Sequence, residues 1–292
     1  MTSISFGAKV DNYGPAVTRL GLAGPAARAE AAGFTSLWLS DHVVMPSQTR
    51  SVFPFTDDGK IYWDARDPWY EPVVCLPVLA GATRSAEVGV GVLLAALRQP
   101  VLLAKQLASV DAMSAGRLVL GVGAGWMAEE FAALGVPFAD RGRRLDEFLT
   151  VLRLCWSGEP GEFRGRYYQV PDDMFCYPVP VRRVPVLVGG MSRPALRRAA
   201  VSGDGWLALP GPSDDAAAVV ADGLAYVRQT AARGDRDLAG WRCILNAHEP
   251  EVIAPLLPRL AELGVTDVLV DLDYDDADGP QRAFDLLTAA LP

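Results

Sequence analysis

Eight short apolar runs alternate with helical stretches along this chain, and no other feature limits its fold so tightly. The runs are SISFGAK (3–9), SLWLSD (36–41), EVGVGVLL (87–94), RLVLGVG (117–123), VPVLVGG (184–190), GWLALP (205–210), WRCILNA (241–247) and DVLVDLD (267–273). Each is nearly continuous in apolar residues, as a strand buried on both faces must be. The stretches between them carry helix signals. AGPAARAEAAGF stops at Gly33, VLLAKQLASVDAMSAG stops at Gly116, and SRPALRRAAVSG opens on Ser192 and closes at Gly203. A further helix opens on Ser213. Serine N-caps and C-terminal glycines are the expected punctuation. Eight such units closing on themselves make a (β/α)8 TIM barrel; an open doubly wound sheet is the other arrangement. No linker-like break divides the chain, so residues 1–292 read as a single domain.

Two stretches exceed a minimal βα unit. Met45 to Pro72, after the second strand, is long and rich in aromatics. Because it follows a strand, it belongs to the rim where barrels build their sites. Gly158 to Arg183, before the fifth strand, contains EFRGRYYQV, a small hairpin. Its ends fall on the opposite rim, where a structural excursion or subunit contact is expected.

Composition narrows the partners. The formal net charge is −8 and no Lys/Arg block appears, which argues against nucleic acid and gives no attraction to anionic membranes. The longest apolar run is too short to span a bilayer, and the N-terminus has no signal-peptide pattern. Cys75, Cys155, Cys176 and Cys243 are scattered, as buried thiols of a reducing compartment would be. A cytoplasmic location is expected. No HExxH, GxSxG or metal-spaced carboxylate cluster is present, so no metal site is expected.

The chain has two histidines. His42 falls just past the second strand, beside Asp41, where an active-site side chain would stand in a barrel. Imidazole is the group best suited to proton transfer near neutral pH; the alternative is a strand-end cap. His248 reads as a rim residue. Glycine-rich turns follow the fourth strand (Gly121, Gly123, Gly125) and the fifth (Gly189, Gly190, then Met191 and Ser192). Such turns let backbone approach a ligand or hold an anion at a helix start, or simply pack. The fourth-strand turn lacks the third glycine of a dinucleotide fingerprint, because Trp126 stands there. Gly89 and Gly91 lie inside a strand and mark a bulge or a taper. Arg98 is either a cofactor-tail contact or a solvated charge.

Taken in order, GFTSLWLSDHVV, the long run from GVGVLLAALRQP to LTVLRLCW, FRGRYYQV, PVLVGGMSRPALRRAAVSGDGW and LAELGVTDVLVDL resemble the luciferase-like monooxygenase superfamily, most nearly its oxidoreductases that use the deazaflavin coenzyme F420. The likeness covers nearly the whole chain. It implies a (β/α)8 barrel with a tricyclic ring across its C-terminal mouth, and hydride transfer to or from a C=C, C=O or C=N bond. It assigns proton transfer to His42. It assigns cofactor contacts to Asp41, to Gly91 and Val92 (a bulge, often with a non-prolyl cis bond), to Ala124, Gly125, Trp126 and Glu129, and to a phosphate site at Gly189, Gly190, Met191 and Ser192. Asn12 is placed near the substrate. Trp126 stands where the sugar-phosphate dehydrogenases of this superfamily carry an acid. Phe53, Phe55, Tyr62, Trp63 and Trp69 suggest an apolar or aromatic small molecule, or pack the loop. The same likeness leaves open FMN with oxygen activation, or a non-catalytic flavin-binding paralogue, and implies a homodimer.

Overall fold

The computed structural model describes residues 4–211 and 215–291. Eight parallel strands close into a barrel: β1 (Ser5–Lys9), β2 (Ser36–Leu39), β3 (Glu87–Leu94), β4 (Leu118–Gly123), β5 (Val186–Gly189), β6 (Gly205–Ala208), β7 (Arg242–His248) and β8 (Asp267–Val270). Closure is made by β1, which pairs with β8 through Ser5↔Asp267 and with β2 through Gly7↔Ser36. All eight expected strands are present, and the open-sheet alternative is excluded.

Alternation along each strand divides the core in two. Leu37 and Leu39 face the helical shell, whereas Trp38 fills the barrel with Val119, Leu187, Leu207, Ile244 and Leu269. Both faces of each strand are therefore dry, which is why the runs are apolar throughout. Trp38 explains the in-strand glycines. A Cβ on Gly89 or on Gly91 would come within 3.1 Å of its ring, and its indole N–H donates to Ser36 Oγ at 2.9 Å. At the N-terminal end Arg242 closes the barrel, bridging Asp267 (2.6 Å) and Glu87 (2.7 Å).

The insertion after β2 folds back over the C-terminal mouth and is pinned to β1's extension by a bridge between Tyr13 and Trp69. The insertion before β5 carries the expected hairpin, Phe163–Arg164 against Gln169–Val170. Arg182 ties its end to Glu87, the first residue of β3, at 2.8 Å, so it closes on the N-terminal rim as its position in the sequence requires. Ser192 caps the helix Arg193–Ser202. Ser213 lies outside the described residues; Asp215 caps the helix Ala216–Arg233 instead. The four cysteines are buried and unbonded. Among the described residues no helix is long and apolar enough to cross a membrane.

Candidate active site

The chain leaves β2 at Leu39, and three residues later His42 is buried at the mouth, 8% exposed. Its Nδ1 lies 3.1 Å from Oε2 of Glu130, a fully buried carboxylate on the short helix Ala128–Ala133 that follows β4. The other oxygen, Oε1, accepts the N–H of Val43 and, at 3.4 Å, that of Val44. A carboxylate against Nδ1 places the ring proton there and leaves Nε2 with its lone pair. Among the described residues Nε2 has no hydrogen-bond partner. The sequence pointed to His42 but not to Glu130. It selected the neighbour, Glu129, which sits about 100° further round the helix. Glu129 instead accepts from Arg50 N (2.6 Å), Ser51 N (3.1 Å) and Ser51 Oγ (2.7 Å), and so clasps the rim loop. Slight burial opposes its ionisation, but the Ser51 hydroxyl and the backbone N–H groups hold its pKa at about 2.

Aromatic rings from the rim loop and from the turn after β4 wall off His42. Trp69 stands edge-on to it at 4.9 Å between centroids, Trp126 at 5.8 Å, and Trp63 is tilted at 5.7 Å. Phe53 joins Trp63 and Trp126, each at 5.1 Å. Tyr13 stacks on Trp69 at 4.2 Å with planes 10° apart, and Phe55 reaches the barrel's inner core. These aromatics pack the loop and surround the imidazole, which is buried among rings.

The floor is built by the β3 bulge. The Gly91–Val92 peptide is cis, and the β3–β4 register shifts between Val90 and Leu93. The Val92 isopropyl group lies across β4 and β5, where a Cβ on Gly123 or Gly189 would overlap its two methyl groups. A side chain at either place would displace Val92, whose branched side chain therefore forms the floor between β4 and β5. Beyond β4, Ala124, Gly125 and Trp126 form the turn. Gly125 has φ +85°, its carbonyl accepts Arg141 Nε at 3.1 Å, and Trp126 turns toward His42. Beyond β5, Gly190 has φ +114°, and its carbonyl accepts the Trp206 indole N–H at 2.9 Å. The Met191 sulfur accepts Leu209 N at 3.2 Å. Ser192 is exposed at the rim, capping the helix through Ala195 N at 3.4 Å.

Asp41 is oriented away from His42. Its Oδ2 accepts Leu94 N (2.7 Å) and Arg98 Nη1 (2.6 Å), and its Oδ1 accepts Arg98 Nη2 (2.9 Å). Burial pushes the carboxyl up, and Arg98 opposes that. Arg98 is thus neither a tail contact nor a solvated charge: it locks the end of β2 to the end of the bulge. Asn12 is likewise spent on structure, donating to Ser40 O (2.9 Å) and Tyr70 O (2.7 Å) and accepting Ser40 N (2.9 Å).

Around β1, β7 and β8 the rim is polar. His248 is half exposed, and its Nδ1 lies 2.8 Å from Asp271 Oδ2; Lys9 Nζ lies 2.9 Å from Asp271 Oδ1. Asp11 stands nearby, its pKa pushed up to about 6 by burial and by Asp271, with Lys9 opposing. An acid whose folded pKa exceeds its ordinary 3.8 loses stability as pH rises through that interval, because the unfolded chain ionises first. Asp11→Asn is expected to match the parent protein below about pH 4 and to melt at a higher temperature above pH 6. Thermal unfolding across pH checks this; equal melting temperatures at both ends would remove Asp11 from the account. Among the described residues, Thr49 Oγ1 and Trp69 Nε1 of the rim loop and Asn246 Oδ1 of β7 are buried without a hydrogen-bond partner. Leaving such a group unpaired costs about 1–3 kcal/mol.

The comparisons with known proteins agree with this geometry. The model of the luciferase-like monooxygenase family matches residues 14–249. An uncharacterised protein of Mycobacterium tuberculosis is 33% identical over 273 residues, 92% of this chain and 91% of that one. An F420-dependent glucose-6-phosphate dehydrogenase of Amycolatopsis mediterranei is 29% identical over 215 residues, 72% of this chain and 58% of that enzyme. Among solved structures, an F420-dependent secondary alcohol dehydrogenase in complex with an F420-acetone adduct superposes with a TM-score of 0.78 at 17% identity, over 99% of this chain and all of that one. At that identity the last likeness speaks for the fold.

Proposed function

We propose that this chain, which belongs to the luciferase-like monooxygenase family, is an F420-dependent oxidoreductase that transfers a hydride between the deazaflavin and a small organic substrate. One observation carries the reading: a glycine-walled floor topped by Val92 lies at the same barrel mouth as an imidazole whose Nδ1 is fixed by a buried carboxylate and whose Nε2 is unpartnered. A planar group would lie against the Val92 isopropyl group, which fills the space that Gly123 and Gly189 leave. The F420-dependent dehydrogenases among its relatives support the deazaflavin over FMN.

In this reading Gly91 and Val92 back the ring, and Asp41 acts on it indirectly, through Arg98 and Leu94, by fixing the bulge. Ala124, Gly125 and Trp126 flank it, and Glu129 serves by anchoring the rim loop. Gly189, Gly190, Met191 and Ser192 shape the approach to the helix start at Arg193, which receives the phosphate. Arg193 and Arg197, both exposed on that helix, offset the acidic net charge where the cofactor tail would run. When bound, the deazaflavin supplies the two-electron hydride chemistry. His42 gives or takes the accompanying proton at Nε2, Glu130 holds Nδ1–H throughout, and the tryptophans keep water out.

Titrating the purified protein with F420 and with FMN, followed by tryptophan fluorescence, tests the assignment. Saturable binding of F420 and none of FMN is the expected outcome. Binding of FMN alone would transfer the site to an oxygen-activating monooxygenase.

A further inference from the structure

We infer that the N-terminal rim of the barrel carries a second ligand site, which takes a phosphate monoester on a flat apolar body, such as an aryl phosphate or a nucleotide. The site is a cavity of about 370 Å³ between the end of the helix Arg141–Trp156 and the last residues of the insertion before β5. That volume suits a small organic molecule. It lies at the opposite end of the barrel from His42, so the inference stands apart from the reading of the mouth. Arg153, Arg182 and Arg183 line it together with Trp156, Val179 and Pro180, and no described carboxylate does. The three arginine side chains are open to a ligand, being 35%, 42% and 76% exposed.

Their charge is only partly met. Asp204 is shared between Arg183 at 2.5 Å and Arg153 at 3.6 Å. Glu87 is shared between Arg182 at 2.8 Å and Arg242 at 2.7 Å. Arg236 donates only to the carbonyls of Ala199, Ala200 and Gly203. Burial holds the Arg153 pKa below its ordinary value, Asp204 opposes this, and Arg183 and Arg236 add to the lowering. A guanidinium stays charged in a protein, so this rim is locally positive in a chain of net charge −8. Donor geometry narrows the anion. Arg153 spends Nη2 on Ser202 O at 2.5 Å, and Arg183 spends Nη2 on Asp204. Nε and Nη1 of each have no acceptor among the described residues. Two guanidiniums with two nitrogens apiece to spare suit the three oxygens and near-double charge of a phosphate monoester better than a single carboxylate. The Trp156 indole N–H is taken up by Ala104 O at 3.1 Å. Trp156 therefore enters the lining as ring surface, beside Val179 and Pro180, and arginine also stacks on flat rings.

The test is calorimetric titration of the cofactor-free, full-length protein with phenyl phosphate, inorganic phosphate and phenol, in low salt at about pH 8, where the phosphates are dianions. Phenyl phosphate should bind about tenfold more tightly than inorganic phosphate, and phenol should show no binding. Arg183→Gln and Arg153→Gln should each weaken phenyl phosphate about tenfold. Arg183→Gln should also melt as the parent does, because the side chain is exposed and Asp204 keeps Arg153 and the Val186 N–H as partners. Equal affinity for the two phosphates would remove the flat body from the site and overturn the inference. Phenol binding as tightly as phenyl phosphate would remove the anion and overturn it too. So would a parent protein that does not bind phenyl phosphate, or an affinity unchanged in Arg183→Gln, which would put the anion on another face.

Discussion

Replacing His42 by alanine is expected to slow hydride transfer about 10²–10⁴-fold while F420 still binds. The expectation follows from geometry. The imidazole is 8% exposed and ringed by Trp63, Trp69 and Trp126, so bulk water has poor access to replace it as proton donor. Its hydrogen bond is to Glu130 rather than to the β3 bulge or the glycine turns that would seat the cofactor. The loss should therefore fall on kcat and spare cofactor affinity. Added free imidazole should restore part of the rate in the alanine variant, because the cavity left behind is the shape of the missing ring. A variant that turned over at the parent rate would remove His42 from the proton path.

The second large effect is expected at Glu130. Glu130→Gln keeps the shape and can still accept the Val43 N–H, but its amide turns a donor toward Nδ1. The imidazole must then carry its proton on Nε2, the wrong tautomer for a base. Turnover should fall about 10²-fold, with F420 affinity unchanged. Glu130→Leu should also unfold more easily. It strands the N–H groups of Val43 and Val44 and the Nδ1–H of His42 in a dry site, at about 1–3 kcal/mol for each donor left unpaired. Denaturant unfolding of the two variants separates the roles. Stability retained in Glu130→Gln with activity lost places the carboxylate in the proton path; stability and activity lost together in both variants would make it only a structural post.

Much of this could be read before any coordinates. Parallel strands buried on both faces write themselves as apolar runs, and all eight are found, with β3 at the boundaries 87–94. The ends are shorter than the runs suggest where side chains take over from the ladder. Past Leu39, Ser40 N turns to Asn12 Oδ1 at 2.9 Å, so the strand stops before the apolar-to-polar change at Asp41. His42 was visible because histidine is scarce here and falls at a strand's C-terminal end. The residues that act through space were not visible. The partner of Asp41 lies 57 positions away, and that of His42 lies 88 away. Glu129 and Glu130 are adjacent acids, and only the phase of a six-residue helix decides which one faces inward. Gly91 could be read as a bulge or a taper, and the structure makes it both: room for Trp38 below, the turn into Val92 above. Asn246 gave no signal at all, being one polar residue at the end of an apolar strand.

In the proposed reaction this mouth moves a hydride and a proton. That reaction is tested most directly by mixing the protein, without oxygen, with reduced F420 carrying deuterium at its transferring carbon and a panel of enones, ketones and imines. Oxidation of the cofactor is expected, with one deuterium on a product carbon and one hydrogen from solvent. A product that carries an oxygen atom and no deuterium when air is admitted, with no turnover in its absence, would contradict it.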